Sequence, residues 1–348
     1  MNKYNRFSEY VLYSGAAYGA DALWGVLAYK YGLINQYHIR PEGNGKIHKD
    51  LLALGLTPLI ADESKLQVAR EQIKKLIGLE LKPSLGSNLK ARNYYQVNKS
   101  ECVIAVAYLA SGTSVKGGTS VAVDLAKALN LPIYVLDVAT ENWYKYEYWA
   151  ETSGFYPCDT PKLYRKSTLV GTRDIEDYKV LDKSSNQWVS RPEFVGTDKA
   201  KRIRTLMEQV FIKSMEKPAI KVQDTFSVSD TERKSNSAIY IFGDNTMRRG
   251  NKGQAVIRYC DNAYGIVTKK LPEMSVRAFF TDDELVENKK LIEADIRNIL
   301  DNYEGKLIVF PSAGLGTGLA QLNTRAPKTF QYLSKRLYDE FGFVNPNK

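Results

Sequence analysis

Two continuous apolar runs, joined by a small-residue loop and a short helical pattern, limit the fold of this chain more than any other feature. Residues 103–108 read VIAVAY, and residues 132–137 read PIYVLD. Each run has the length and composition of a strand that is buried on both faces of a sheet. A helical pattern at 120–129 connects them. A strand–helix–strand unit of this kind predicts a parallel sheet.

Strand and helix patterns also alternate before this unit. Residues 9–14 predict a strand, residues 21–31 predict a helix with apolar residues at helical spacing, and residues 64–78 predict a second helix. Residues 35–48 contain Pro and Gly breakers and predict a loop. We therefore predict the α/β class, with a Rossmann-like parallel-sheet domain followed by a second, smaller α/β domain.

The chain of 348 residues is long enough for two domains of ordinary size. We place the first domain at residues 1–138 and the second at residues 236–348, where the strand pattern AIYIFGDN opens a new alternation. Residues 139–235 are less regular, and they form a connecting region that is also a candidate to complete the first sheet. The polar, turn-rich segment at 221–237 predicts a linker.

Composition excludes several classes of function. Two histidines and three widely spaced cysteines are too few for a His-based triad, a multi-His or zinc site, or a disulfide framework, so we predict no metal. The sequence has no apolar stretch of about 18 residues, and its first residues lack a signal-peptide core. We therefore predict a cytoplasmic protein with no membrane partner. General acids or bases are expected among Asp, Glu, Lys and Tyr.

The net charge of +10 favours nucleic acid, anionic nucleotides or acidic partners. Solubility explains such a charge equally well. The helical pattern at 198–221 has seven basic and three acidic residues, which is typical of a solvated helix face. The 23 tyrosines suit base stacking, but tyrosines also fill cores and interfaces.

Two glycine-containing turns follow predicted strands in the first domain. One is SGAAYGAD at residues 14–21, and the other is KGGTS at residues 116–120. Ligands of open α/β sheets bind beyond the carboxyl ends of the strands, where helix N-termini attract anions and glycine allows close approach. A single turn of this type is equally consistent with a tight strand–helix connection. Two turns that face the same ligand favour a phosphate site.

These residues resemble the SLOG superfamily, which includes the DNA-processing protein A and the Lonely-Guy phosphoribohydrolases. The turn at 14–21 is similar to that family's SGGAxGAD turn, ARNYYQV at 91–97 is similar to its RN segment, and the turn at 116–120 is similar to its second nucleotide-binding turn. The resemblance covers roughly residues 8–138. It implies a Rossmann-like sheet, a homo-oligomer, and a nucleotide site lined by Ser14, Gly15, Asp21, Arg92, Asn93, Gly117, Gly118 and Thr119.

Simpler roles stay open for three of these residues. Arg92 is also explained by a pair with a surface acid, Asp21 by capping of the following helix, and Asn93 by a bond within a local turn.

The sequence departs from the SLOG pattern at two points. The hydrolytic members carry a Glu that helps to cleave the N-glycosidic bond, and Ala122 stands at the corresponding position here. The family's first strand, which ends in GSR, has no counterpart ahead of the first turn. The stretch TLVGTRDI at 168–175 looks like that strand displaced downstream, so we predict a permuted strand.

The second domain carries another pair of turns. The strand pattern AIYIFGDN ends in Asp244 and Asn245, and a basic loop with Arg248, Arg249 and Lys252 follows. A later strand ends in the glycine loop GLGTGLA at 314–320. Cationic side chains and glycine loops beyond strand ends suit phosphates. Asp244 is the carboxylate best placed to orient a water or a ribose hydroxyl, unless it only pairs with Arg248 or Arg249.

This arrangement is loosely similar to macro domains, which bind ADP-ribose, over roughly residues 238–340. That resemblance implies a pocket lined by Asp244, Asn245, Gly250, Gly253, Gln254, Gly314, Gly316, Thr317 and Gly318. The macro-domain Asn-Ala-Ala-Asn run is absent, and GDN stands in its place. The alternative is a plain α/β domain whose glycines only serve turns.

We predict a protein that binds a small nucleotide, or an ADP-ribose-like or NAD-derived ligand, and processes it at the ribose. The reaction would be N-glycosidic or phosphoester hydrolysis, or ribosyl transfer, with Asp244, Asn245 and Asp21 as the candidate catalytic residues. One alternative is a non-catalytic sensor or sequestering protein for a nucleotide signal. The other is a protein that binds single-stranded DNA, although no helix-turn-helix or zinc motif supports it. The identity of the cofactor stays open.

Overall fold

The fold was analysed in a computed structural model. The structure describes residue 7 and residues 9–43, 47–149, 152–232, 237–303 and 305–347. Internal contacts divide the chain into two compact units, Met1–Met215 and Glu216–Lys348.

The first unit is built on an eight-stranded sheet, here called the large sheet. Its strand order is β3-β2-β1-β10-β4-β7-β8-β9, and two small antiparallel pairs, β5-β6 and β11-β12, lie outside it. The strands are β1 (Val11–Ser14), β2 (Gln36–Pro41), β3 (Leu59–Ala61), β4 (Cys102–Ala107), β5 (Leu109–Ser111), β6 (Ser114–Val115), β7 (Ile133–Asp137), β8 (Asn142–Glu147), β9 (Gly154–Pro157), β10 (Lys166–Gly171), β11 (Lys179–Asp182) and β12 (Gln187–Ser190).

Helices connect most of these strands. They are α1 (Ala20–Lys30), α2 (Lys49–Ala53), α3 (Glu63–Ile77), α4 (Leu85–Ala91), α5 (Asn93–Val97), α6 (Thr119–Ala128) and α7 (Thr197–Met215). The strands from β3 to β7 in the sheet order are parallel, and β8 and β9 add antiparallel at one edge. The α/β class and the mostly parallel sheet predicted from the sequence are confirmed.

The central strand β4 shows why the apolar run at 103–108 predicted a buried parallel strand. All six of its residues are buried. Cys102, Ile104 and Val106 belong to one apolar cluster, and Val103, Ala105 and Ala107 belong to another. Because alternate residues of a strand point to opposite faces, the sheet is covered by a core on each face.

Strand β10 lies between β1 and β4, pairing parallel with both. The stretch TLVGTRDI, in which the sequence predicted a displaced first strand, therefore supplies a central strand of the large sheet. The chain reaches this position only after completing β4, β7, β8 and β9.

Strand β2 falls in the segment at 35–48 that the sequence predicted as a loop, so that prediction is wrong for Gln36–Pro41. Its apolar pattern is hidden because two of its buried residues, His38 and Arg40, are polar. Residues 44–46 of the predicted loop lie outside the described residues.

The second unit contains a four-stranded parallel sheet, here called the small sheet, in the order β13-β16-β14-β15. Its strands are β13 (Ile220–Gln223), β14 (Ala238–Asn245), β15 (Ala263–Lys269) and β16 (Leu307–Pro311). Its helices are α8 (Val228–Glu232), α9 (Leu285–Asn302), α10 (Leu322–Arg325) and α11 (Pro327–Phe341), with 3-10 turns at Gly253–Ile257, Val276–Ala278 and Asp282–Glu284.

The predicted linker at 221–237 contains most of β13 and the whole of α8. Strand β13 lies at one edge of the small sheet, and half of its residues are exposed. Edge strands of this kind keep polar residues, which explains the linker-like composition. Residues 233–236 of that prediction lie outside the described residues.

Strand β14 has β15 on one side and β16 on the other, so the chain changes direction across the small sheet at this strand. Loops that leave such neighbouring strands diverge and leave a crevice at the carboxyl edge of the sheet. The two turns predicted as the second site both begin at this edge.

Among the helices in the described ranges, none is long and apolar enough to cross a membrane.

Candidate functional site

A cavity of about 580 Å³ lies in the first unit and is lined by many of the residues predicted for the first site. Asp21, Arg92, Asn93, Gly117, Gly118 and Thr119 all line it. Its other lining residues are Ala17, Tyr18, Arg40, Gly86, Leu89, Lys90, Lys116, Val170, Gly171, Thr172, Arg173, Asp174, Tyr178 and Glu193. The structure thus brings together three motifs that are up to about 100 residues apart in the sequence.

The turn before α6 is open towards this cavity. Gly118 has helical backbone angles at the N-cap, and no side chain caps the helix. A Cβ added at Gly117 or Gly118 would meet no atom within 4 Å, and the backbone N–H groups of Gly118 and Thr119 have no acceptor in the described part of the chain. Asn93 fixes the turn by donating from Nδ2 to the Gly118 carbonyl at 3.3 Å. Unpaired N–H groups at a helix N-terminus favour an anion.

Asp21 and Arg92 form a buried ion pair at 3.4 Å. Asp21 Oδ1 also accepts from the Gly171 N–H at 2.9 Å, and Arg92 donates to the Ile39 carbonyl at 3.1 Å. Burial raises the pKa of Asp21, and the neighbouring Arg92 charge opposes that rise. The acid paired with Arg92 is therefore buried rather than on the surface.

Gly15 and Ser14 support this pair and do not line the cavity. A Cβ at Gly15 would lie 1.4 Å from Arg92 Nη1, so the guanidinium occupies the space that any other residue would fill. Ser14 Oγ donates to the Asp21 carbonyl at 3.4 Å and is fully buried. Both residues therefore hold Arg92 and Asp21 in place, one step removed from the cavity.

The cavity is lined by more cations than carboxylates. Its basic residues are Arg40, Lys90, Arg92, Lys116 and Arg173, and its acidic residues are Asp21, Asp174 and Glu193. Burial, and then the charge of Arg92, lower the pKa of Arg40. This excess of positive charge favours an anionic ligand.

Several of these residues were not among the predicted site residues. Arg173 follows β10 and carries a signal in the sequence, because Gly171-Thr172-Arg173 stands where the SLOG resemblance places the end of its first strand. Arg40 carries no comparable signal. It lies in the strand that the sequence predicted as a loop, and only the sheet order brings it beside Arg92.

In the other predicted turn, at 14–21, the N–H of Gly19 is taken by one of the chain's own carboxylates. The Gly19 N–H donates to Glu176 Oε2 at 2.6 Å, and Glu176 Oε1 lies 2.5 Å from His48 Nε2. These three residues line a second cavity of about 410 Å³. An anion at Gly19 would have to compete with Glu176. The sequence of residues 14–21 gives no sign of this competition, because Glu176 is far away along the chain.

Ala122, at the position of the SLOG catalytic Glu, is fully buried in α6 and packs in an apolar cluster. The position offers no carboxylate to the cavity.

In the second unit, the predicted catalytic residue Asp244 is engaged on both oxygens. Its Oδ1 lies 2.5 Å from Arg258 and its Oδ2 lies 3.1 Å from Arg248. Arg248 also contacts Asp295 at 2.5 Å. The side chain of Asp244 is 2% exposed. The sequence left open a pair with Arg248, and the structure contains that pair together with a second one to Arg258.

The side chains of Asn245 and Gln254 are also engaged in hydrogen bonds within this unit. Asn245 Nδ2 donates to the Arg249 carbonyl at 2.7 Å. Gln254 joins the two turns, because its Oε1 accepts from the Gly243 N–H at 3.2 Å and its Nε2 donates to the Gly314 carbonyl at 3.0 Å. This amide therefore spans the crevice at the carboxyl edge of the small sheet.

Some glycines of this site adopt backbone angles that favour glycine, and others do not. Gly253, Gly314 and Gly316 have positive φ angles of 61°, 77° and 85°. Thr317 Oγ1 donates to the Ala313 carbonyl at 2.9 Å. A Cβ at Gly318 would meet nothing within 4 Å, so the tip of this loop is open.

Residues 221–336, within the second unit, match a family of unknown function, DUF7831. No curated protein and no solved structure matches the chain. The SLOG and macro-domain resemblances therefore stay predictions.

Across the described ranges, no group of three or more His, Cys, Asp or Glu side chains is arranged to hold a metal ion.

Proposed function

We propose that the first unit binds a nucleotide in the 580 Å³ cavity, with a phosphate group at the N-terminus of α6. The observation that carries this proposal is the open turn at 116–119. Its unpaired N–H groups lie at the edge of a cavity with five cations and three carboxylates. Backbone N–H groups at a helix start and nearby guanidinium groups are the donors that phosphates prefer.

The size of the cavity supports a ligand larger than phosphate alone. Small-molecule sites usually enclose about 300–1,000 Å³, so a nucleoside phosphate or an ADP-ribose-like molecule fits. Arg92 is well suited to orient such a ligand, because Asp21 and the backbone at Gly15 fix its guanidinium before the ligand arrives. A fixed donor loses little conformational entropy on binding.

The geometry favours binding without turnover. Asp21 and Asp244, the two predicted catalytic carboxylates, are buried and salt-bridged to arginines. Ala122 gives the cavity no acid where the hydrolytic SLOG proteins have one. A general base needs a free lone pair within reach of the ligand, so a sensor or sequestering role is the better-supported function.

The test compares Gly118→Asp with Gly118→Ala. Both substitutions fit the helical backbone and the open space at this position. Asp at an N-cap stabilises a helix, but its carboxylate repels a phosphate from the same N–H groups. We expect Gly118→Asp to fold and to bind ADP-ribose, NAD or nucleoside phosphates at least tenfold more weakly in calorimetry, while Gly118→Ala stays close to the parent protein. Equal affinity in all three proteins would contradict the proposed site.

Ligand processing at the ribose is the second candidate, and Glu193 is the observation that favours it. This carboxylate lines the cavity, its side chain is 60% exposed, and it lies 3.6 Å from Arg191. Incubation with NAD, ADP-ribose and nucleotides, followed by chromatography, separates the two functions. Recovery of intact ligand supports binding alone. Turnover that is lost in Glu193→Gln supports catalysis at this cavity, and turnover lost in Asp244→Asn would support the residue predicted from the sequence.

A further inference from the structure

The second cavity of the first unit has an apolar floor, most of which comes from helix α1. The cavity encloses about 410 Å³, and its apolar lining includes Ala22, Leu23, Val26, Ile175 and Phe194. Leu23, Val26 and Phe194 are only half-buried, so they leave apolar surface open to the cavity. Covering such surface with an apolar group is favourable. The floor therefore suits a ligand with an apolar body.

Helix α1 packs against α2 on one side and against α7 on the other. Ala22 shares an apolar cluster with Leu51 of α2. Trp24 belongs to a different cluster with Phe211 of α7, and the centres of these two rings lie 6.0 Å apart. Since a helix turns by about 100° per residue, Ala22 and Trp24 point to nearly opposite sides of α1. Packed helices lie about 8–10 Å apart, so the two walls of the cavity are separated by roughly that distance.

The wall beside α2 is acidic. It carries the carboxylates of Asp50, Glu176 and Asp177, together with the ring of His48. Both oxygens of Glu176 are engaged, one with the Gly19 N–H and the other with His48 Nε2. Asp50 and Asp177 are exposed, and Asp177 forms no hydrogen bond or ion pair with any described residue. This wall therefore offers two accessible carboxylates to a cationic group.

The wall formed by α7 is basic. Lys201 and Arg204 both line the cavity, and their spacing places them on one face of the helix. Arg204 is exposed and has no hydrogen bond or salt bridge within the described part of the chain. Lys201 lies 3.6 Å from Asp198, but these side chains are 72% and 86% exposed, so solvent screens the pair. This wall therefore offers two cations to an anionic group.

We propose that this cavity binds a short zwitterionic peptide. Its ammonium group would lie at Asp50 and Asp177, its carboxylate at Lys201 and Arg204, and its apolar side chains on the floor from α1. A chain of two to three residues spans about 7–11 Å, which matches the separation of the walls. Its size also fits a cavity of about 410 Å³. A free amino acid is too short to reach both walls, because one carbon carries both of its charged groups.

The proposed peptide site is separate from the nucleotide site proposed for the first cavity. Among the described residues, none lines both cavities. None of the ligand-binding residues predicted from the sequence lines the second cavity. The peptide proposal therefore does not depend on the nucleotide proposal.

The test titrates leucyl-leucine into the full chain by calorimetry. Three related compounds each lack one feature of this probe. N-acetyl-leucyl-leucine has no ammonium group, leucyl-leucine amide has no carboxylate, and free leucine has no distance between its charges. We expect the dipeptide to bind about tenfold more tightly than each of them, because each loses a charge-assisted contact.

Two substitutions remove one charge from each wall of the cavity. Asp177→Asn and Arg204→Gln replace exposed side chains, so both variants should fold. Each should weaken the binding of leucyl-leucine about tenfold. Arg204→Gln should not weaken the amide further, since the amide has no carboxylate for Arg204 to contact. Arg202→Gln is the matched control, because Arg202 is also on α7 but pairs with Glu141 and does not line the cavity.

Weaker dipeptide binding in both wall variants, with the control unchanged, would support the proposal. No binding of leucyl-leucine, or binding that either wall variant leaves unchanged, would overturn it. Equal affinity for the dipeptide and its two capped forms would mean that the cavity takes an apolar ligand, and the zwitterion proposal would then be wrong. An equal loss of affinity in Arg202→Gln would also overturn it, because the attraction would then depend on the net charge of the surface.

Discussion

Gly15→Ala is the substitution that most directly tests the architecture of the first cavity. The added methyl group would lie 1.4 Å from Nη1 of Arg92 and 2.1 Å from its guanidinium carbon. Two heavy atoms cannot approach so closely, so the guanidinium must leave its position. Its departure breaks the 3.4 Å pair with Asp21 and the hydrogen bond to the Ile39 carbonyl.

The cost follows from the burial of the pair. The side chains of Arg92 and Asp21 are 7% and 5% exposed, so solvent screens neither charge. Breaking a buried pair and leaving one charge without a partner costs about 3–5 kcal/mol. The backbone adds little, because φ at Gly15 is not in the left-handed region. We therefore expect Gly15→Ala to lower the free energy of unfolding of the first unit by about 3 kcal/mol.

A double-mutant cycle separates this mechanism from a general loss of stability. In an Arg92→Ala background the obstructing guanidinium is absent, so Gly15→Ala should cost less than about 1 kcal/mol there. Gly112→Ala is the matched control, because a Cβ at Gly112 meets nothing within 4 Å. Urea unfolding followed by tryptophan fluorescence measures the first unit alone, since all four tryptophans lie in it.

Two results would refute the reasoning. One is a stability of Gly15→Ala within about 0.5 kcal/mol of the parent protein, the usual range for an uncrowded surface substitution. The other is simple addition of the Gly15→Ala and Arg92→Ala losses in the double variant. Either result would mean that the guanidinium does not rest against Gly15.

Three further predictions concern titration and the second unit. Burial, and then the charge of Arg92, lower the pKa of His38 from 6.5 to about 4. The unfolded chain therefore binds a proton between these pH values that the folded chain does not, and stability should fall by about 3 kcal/mol as the pH drops from 6.5 to 4. His38→Gln should flatten this part of the pH profile measured by urea unfolding, and an unchanged profile would contradict the assignment. Gln254→Glu places a carboxylate against the carbonyl oxygen that its amide now contacts. It should destabilise the second unit by about 1–3 kcal/mol, and hydrogen exchange at the two joined loops should accelerate; unaltered exchange would argue against the bridge. Asp244→Asn removes the charge that faces Arg258 and should cost the second unit about 3–5 kcal/mol in thermal or urea unfolding followed by circular dichroism. Full stability together with lost turnover would instead favour the catalytic role.

The sequence predicted the frame of the fold well, because strand and helix patterns are local. The strand at β4 was expected at 103–108 and lies at Cys102–Ala107, and the helix expected at 120–129 is α6. Several strands were not predicted, among them β2, β15 and the antiparallel strands β8 and β9. In β2 the buried polar residues His38 and Arg40 interrupt the apolar pattern, and their burial is explained only by neighbours that lie far away in the sequence.

The part of the candidate site that is formed by a glycine-containing turn could be predicted from residue types in the sequence. Gly117, Gly118 and Thr119 form an open helix start in the structure, as their residue types suggested. Arg92 and Asp21 were selected by resemblance, but their salt bridge and the close approach of Gly15 to the guanidinium follow from a contact across 71 residues of sequence.

The sequence by itself determined the glycine turns and those strands and helices that have a clear apolar pattern, such as β4 and α6, because spacing, capping and backbone freedom act over a few residues. Only the tertiary structure decided which of those turns is available to a ligand. The turn at 14–21 has a donor satisfied by Glu176, which is 157 residues from Gly19, whereas the N–H groups of Gly118 and Thr119 have no acceptor among the described residues. In the same way, a strand from residues 166–171 lies between β1 and β4 and brings Arg173 to the cavity. Hydrogen-bond partners and charge balance depend on distances in space, and residue spacing along the chain does not contain them.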